Sequence, residues 1–196
     1  MKRLIFALLL IALSSGFIVA THGQVVPSAT ERVFTVRAGG LFSAFQPDYV
    51  GGGATLHSQW LYSAGAYSDI RASRWVQPEI EVRWGRFNEY NPCPTCSGSQ
   101  GIDENTYSAG LRVPIKDFRR FTPYGKFLVG FGNGSFLDGD ALVFTYGGGV
   151  DYGLTRRFTI RACDFEYQQW SVTNLTLRPY GFSAGLSYRV FSRGRY

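Results

Sequence analysis

Residues 180–191 read YGFSAGLSYRVF, and how this stretch is read decides the fold. Tyr180, Phe182, Ala184, Leu186, Tyr188 and Val190 fall on one side of an extended chain, and Gly181, Ser183, Gly185, Ser187 and Arg189 on the other. A period of two is a strand's period; no helix sorts these residues into an aromatic set and a small or polar one. A strand placed between lipid and a polar lumen has this character. An amphipathic strand of a soluble sheet has it too, so the rest of the chain must separate the two.

The N-terminus leans toward the envelope. Lys2 and Arg3 precede an apolar run, Leu4 to Ala20, interrupted only by Ser14, Ser15 and Gly16, and small or polar residues follow before Gln24. This is the pattern of a secretory signal peptide, expected over residues 1–23 with cleavage between 20 and 24 and Gly23 the preferred last residue, leaving 24–196 as one domain. Removing Lys2 and Arg3 leaves 18 basic residues against 14 acidic ones, a charge of +4 rather than +6, which does not mark a nucleic-acid binder. No second apolar run is long enough for a helix to span a bilayer, but barrels hide their apolar residues by alternation.

Alternation recurs along the chain. Strands are predicted at Phe34 to Ala44, Leu61 to Ser73, Pro78 to Phe87, Thr106 to Val113, Tyr124 to Phe131, Leu142 to Tyr152, Arg157 to Gln169 and Tyr180 to Phe191. The seventh changes phase near Cys163, with Phe158, Ile160 and Ala162 on one face but Phe165 and Tyr167 on the other, as a β-bulge would cause. Connections after the second, fourth and sixth strands are short. Those after the first, third, fifth and seventh are longer, with loops expected at 46–60 and 88–105. The expected fold is therefore all-β, an eight-stranded antiparallel up-and-down transmembrane β-barrel. Strands of about ten residues suit a tilted bilayer crossing, and closure removes the sheet edges that such an aromatic-rich face would leave prone to aggregation.

Several of these stretches resemble a known family. Ser183 to Val190, SAGLSYRV, is similar to the C-terminal assembly signal of bacterial outer-membrane barrels, carried here by Ser183, Gly185, Tyr188, Val190 and Phe191. GGGVDYGLTRRFTIRACDFEYQQW, the last strand, and TPYGKFLVGFG at 122–132 resemble the small OmpA-type barrel domains of Gram-negative cell envelopes. The chain departs from that pattern at SRGRY, which follows the usual terminal phenylalanine, and no separate peptidoglycan-binding domain is expected. The resemblance implies a barrel and an outer-membrane location, and identifies no activity.

By alternation the lumen receives Asp69, Glu79, Glu81, Asp151, Asp164 and Glu166 together with Arg37, Arg71, Arg83, Arg112 and Lys126. An eight-stranded barrel is just wide enough to be filled by side chains, and unpaired charges there are costly, so these residues are expected to pair into a plug rather than line a pore. Glu79 and Glu81 could also form an acid/base pair, but nothing in the pattern supplies a cleft.

Cys93 and Cys96 lie in the 88–105 loop, in an oxidising compartment, and are expected to form a local disulfide. With Cys163 as the only other thiol, a four-cysteine metal site is excluded by count. His57 beside Ser58 is the only histidine after signal cleavage and lacks a carboxylate to orient it, so no catalytic residue is expected. Asn174, Leu175 and Thr176 match a glycosylation acceptor, without meaning in a bacterial envelope protein.

The expected function is a non-enzymatic integral outer-membrane scaffold with a plugged lumen, with no cofactor and no metal, whose loops serve surface interaction or envelope integrity. A narrow porin-like channel and a lipid A-modifying enzyme are the alternatives. The expected partners are outer-membrane lipid, the barrel-assembly machinery during insertion and an unidentified loop partner, with no nucleic acid.

Overall fold

The computed structural model describes residues 34–46, 60–71, 73, 75–90, 100–116, 118–135, 137, 139–172 and 175–193, with backbone alone for 87–90, 100, 172 and 175. The predicted signal segment, the Cys93 and Cys96 pair and His57 with Ser58 lie outside the described residues.

Among the described residues, nine strands form one closed antiparallel sheet: β1 Phe34–Gln46, β2 Leu61–Arg71, β3 Gln77–Tyr90, β4 Gln100–Pro114, β5 Phe121–Gly134, β6 Ala141–Gly153, β7 Phe158–Val172, β8 Leu175–Leu177 and β9 Tyr180–Arg193. Each strand from β1 to β7 pairs with the next. β9 closes the ring against both β7 and β1, and β8 pairs with β7 alone, so eight strands surround the lumen.

Burial is inside-out relative to a water-soluble protein. Among the described residues twenty polar or charged side chains are buried against ten apolar ones, while Phe42, Tyr107, Phe127, Phe131, Phe182 and Leu186 stand exposed on the outer wall. The eight predicted strands keep their predicted faces, whereas β8 was not predicted. Aromatic pairs stabilise the outer wall between neighbouring strands, among them Phe42 with Tyr62 and Phe165 with Phe182.

The phase change in β7 is a bulge. Val150 pairs with Cys163 but Asp151 with Arg161, so one extra residue is inserted on β7. The ladder to β9 shifts over the same residues, between Arg161 and Asp164. Arg161 and Asp164 therefore both turn inward although three positions separate them.

Two predicted connections are shorter than their composition suggested. Asn88 to Tyr90 and Gln100 to Ile102 pair with each other, which narrows the third loop to 91–99. The turn-rich composition of 88–105 masked strand ends that project beyond the span a bilayer needs. The seventh connection is not long either. β8 continues the β7–β9 ladder, since Tyr167 faces Tyr180, the Gln168 amide donates to the Pro179 carbonyl at 2.8 Å and Trp170 faces Leu177. Pro179 has no amide hydrogen and interrupts the strand without changing its direction.

At the opposite end, the β4–β5 turn closes with two backbone hydrogen bonds between Phe118 and Phe121, at 2.7 and 2.9 Å. Arg119 adopts φ 57° there, a conformation that glycine takes freely and that costs an L side chain about 1–2 kcal/mol.

Candidate functional site

Ten of the eleven predicted lumen charges, all but Arg71, meet inside the barrel in the contacts described here, joined by Arg161. Near the short-turn end, Arg37 donates from Nε to Asp69 Oδ1 at 2.9 Å and lies 3.3 Å from Asp151, whose Oδ2 also accepts from Arg112 at 2.6 Å. Deeper, Arg161 grips Glu79 through both terminal nitrogens, at 2.8 and 3.2 Å. Toward the loop end Lys126 Nζ lies 2.5 Å from Glu166, 2.6 Å from Asp164 and 3.1 Å from Glu81, and Arg83 bonds both Glu81 and Glu166. Arg71 is half-buried at the last position of β2, near the mouth rather than in these layers.

Some of these contacts cross the whole lumen. β3 and β7 stand four strands apart in a ring of eight, on opposite walls, yet Arg161 of β7 reaches Glu79 of β3 and Arg83 of β3 reaches Glu166 of β7. Aromatic rings cover the guanidinium faces. Arg161 lies 3.8 Å over Tyr67 and Arg112 lies 3.5 Å over Tyr124. Carboxylate oxygens of Glu81, Asp164 and Glu166 come within 4.8 Å of one another, a spacing that would suit a divalent cation. The Lys126 ammonium is the cation there, hydrogen-bonded to all three.

Arg161 was not among the predicted lumen residues. Its signal was present: a phase change after Ala162 leaves Arg161 on the face opposite Ile160, and that face is the lumen. A second feature carried no charge signal. Ala141, Val143, Trp170 and Leu177 form a buried apolar cluster inside the loop end, with Leu137 packed on it. Trp170 Nε1 donates to Gln168 Oε1 at 2.9 Å, which satisfies the buried indole.

Gly132 makes room for that indole, because a Cβ at this position would overlap the Trp170 ring. Gly132→Ala should therefore lower the urea unfolding midpoint, by about 1–3 kcal/mol in stability, and shift tryptophan fluorescence. Gly125→Ala, where the nearest atom to an added Cβ is 3.9 Å away, should do neither.

The residues of the assembly signal divide between the faces. Ser183 is buried and bonds Ser43 at 2.9 Å, and a side chain at Gly185 would meet the buried Leu41 and Tyr67 in the lumen. Tyr188, Val190 and Phe191 are exposed outside, with a register shift between β1 and β9 beside Val190. Thr176 of the glycosylation-like triplet pairs with Ser171 in β8.

Residues 8–189 match the sequence model for the outer membrane protein beta-barrel domain. The chain belongs to that family. Its place is the bacterial outer membrane. No curated protein is significantly similar to this member in sequence. Among solved structures, Neisserial surface protein A is similar at 14% identity and a TM-score of 0.58, covering 80% of this chain and 96% of that one. The attachment invasion locus protein Ail of Yersinia pestis matches at 17% identity and a TM-score of 0.49, over 81% and 99% of the two chains. The outer membrane protein AlkL matches at 16% identity and a TM-score of 0.49, over 90% and 99%. The first of these supports the fold of this family member and nothing finer.

Proposed function

We propose that this chain is a non-enzymatic outer-membrane scaffold whose lumen is closed by its own side chains and whose loops, chiefly 46–60 and 91–99, present the surfaces that meet partners. The observation that supports this most is the Arg161–Glu79 pair at 2.8 Å, which bridges opposite walls at a level where both side chains are fully buried. Each of the six buried acids has a lysine or arginine within 3.1 Å, so none is left as an uncommitted base. The outer face meets lipid, and the C-terminal segment, with Tyr188 and Phe191 outward, meets the assembly machinery during insertion.

Planar bilayers containing the purified chain test the proposal. A plugged scaffold should give no steady ion-selective current. Stable open channels would replace this reading with a narrow porin-like one.

A further inference from the structure

The sequence segments that connect the strands at the two ends of the barrel carry opposite net charge. Residues 71–76, 115–121, 154–158 and 189–196, which include the short turns and the C-terminus, hold ten basic residues and one acid, Asp117. The loop segments 46–60, 86–104, 132–140 and 173–179 hold six acids and two bases. The lumen is nearly balanced, so by sequence the chain's net positive charge comes from the segments that include the short turns.

Two of these basic groups lie against side chains of the outer flank. Arg157 Nη1 lies 3.4 Å from the Tyr188 hydroxyl on the lipid-facing wall, and the Lys116 ammonium lies 5.4 Å over the Phe118 ring. Beneath them runs an aromatic girdle, with Phe158 edge-on to Tyr188 at 5.2 Å and Phe121 against Tyr152 at 5.0 Å. The same turns expose large apolar side chains, Trp75 at 75% and Ile115 at 72%. Arg119 holds its strained φ where glycine would close the turn without strain, and its side chain is exposed among these groups.

We propose that the turn end binds the anionic phospholipid headgroups of the leaflet surrounding it. Guanidinium groups bond phosphate oxygens in a bidentate fashion, and basic residues beside an anionic membrane surface each add to the attraction. A soluble polyanion would satisfy the charges but would leave Trp75 and Ile115 in water. A leaflet takes up both, with apolar side chains at the acyl boundary and cations at the phosphates. This surface is independent of whether the lumen conducts.

The test uses the full chain folded in nanodiscs of equal phosphatidylglycerol and phosphatidylcholine, with the lipids retained on the protein counted by native mass spectrometry. One basic residue near an anionic surface is worth roughly a fivefold preference at low salt. The unmodified protein should therefore enrich phosphatidylglycerol at least about fivefold, a preference lost in high salt. The variant carrying Lys116→Gln, Arg119→Gly, Arg120→Gln, Arg156→Gln and Arg157→Gln, which removes five of the ten basic residues, should show a clearly smaller preference for phosphatidylglycerol than the unmodified protein. Asp103→Asn with Asp140→Asn, at the loop end, should keep the preference. Arg119→Gly alone relieves turn strain, so a reduced preference in that well-folded variant reports on the side chain. Equal retention by the unmodified protein, or unchanged enrichment in the fivefold variant, overturns the proposal. Salt-sensitive retention on insoluble peptidoglycan without a lipid preference overturns it in favour of a cell-wall polymer.

Discussion

Lys126→Met should destabilise the folded barrel by about 3–5 kcal/mol, the cost of removing one partner from a buried charge network. Lys126 is buried at the point where Glu81, Asp164 and Glu166 converge, with its ammonium within 3.1 Å of all three. Methionine keeps much of the volume and removes the charge, so packing loss contributes little. Arg83 and Arg161 still contact the same acids, which places the loss short of complete unfolding. Urea unfolding in phospholipid vesicles measures the effect, and heat-modifiable gel mobility shows that the variant still folds. Adding Glu166→Gln to Lys126→Met should restore part of the loss, because two neighbours in one network are not additive. A fall of less than about 1 kcal/mol would mean that water or protonation already screens the cluster.

Leu186→Arg is expected to cost about 2–4 kcal/mol, the penalty for a basic residue on the lipid face near the bilayer midplane. Leu186 lies near the centre of β9 and is 48% exposed on the outer wall. Gly40 and Ile160 face it on the two neighbouring strands, and neither offers a charge to pair with the new guanidinium. The same vesicle unfolding experiment reads the loss, and cell fractionation should show less protein in the outer membrane. Ser187→Ala, one position on but inside the lumen, removes only a hydroxyl bonded to the Thr159 carbonyl at 3.3 Å and should cost far less. Equal effects of the two substitutions would mean that β9 is rotated relative to its neighbours.

Strand positions and faces were legible because the signal is local: each strand states its own alternation, and a bilayer outside with a packed lumen inside enforces it on all of them. The Cys163 phase change was legible for the same reason, since a bulge moves apolar residues from one face to the other within five positions. The rest needed information from other strands. That Arg161 reaches Glu79 as well as Asp164 on its own strand depends on the ring being eight strands round, which places β3 and β7 opposite each other. Trp170 and Leu177 looked like loop residues because Thr173, Asn174 and Pro179 surround them in sequence. Only the continuing ladder between β7 and β8 turns them inward. Loop composition likewise concealed the ends of β3 and β4, whose pairing follows from register rather than from strand-favouring residues.

The contacts across the lumen also bear on the order in which the chain can enter the membrane. Neighbouring strands can zip as they emerge, but Glu79 finds Arg161 only 82 positions later, and Glu81 waits 45 positions for Lys126. A half-barrel made of β1 to β4 would present Glu79 to hydrocarbon without Arg161, and Glu81 and Arg83 with only each other, a cost of several kcal/mol. Partial insertion is therefore uphill until β7 arrives, and closure and membrane entry are tied into one late, cooperative event. A chain cut short before β7 should stay outside the bilayer as an exposed sheet, a substrate for periplasmic proteases rather than a smaller barrel.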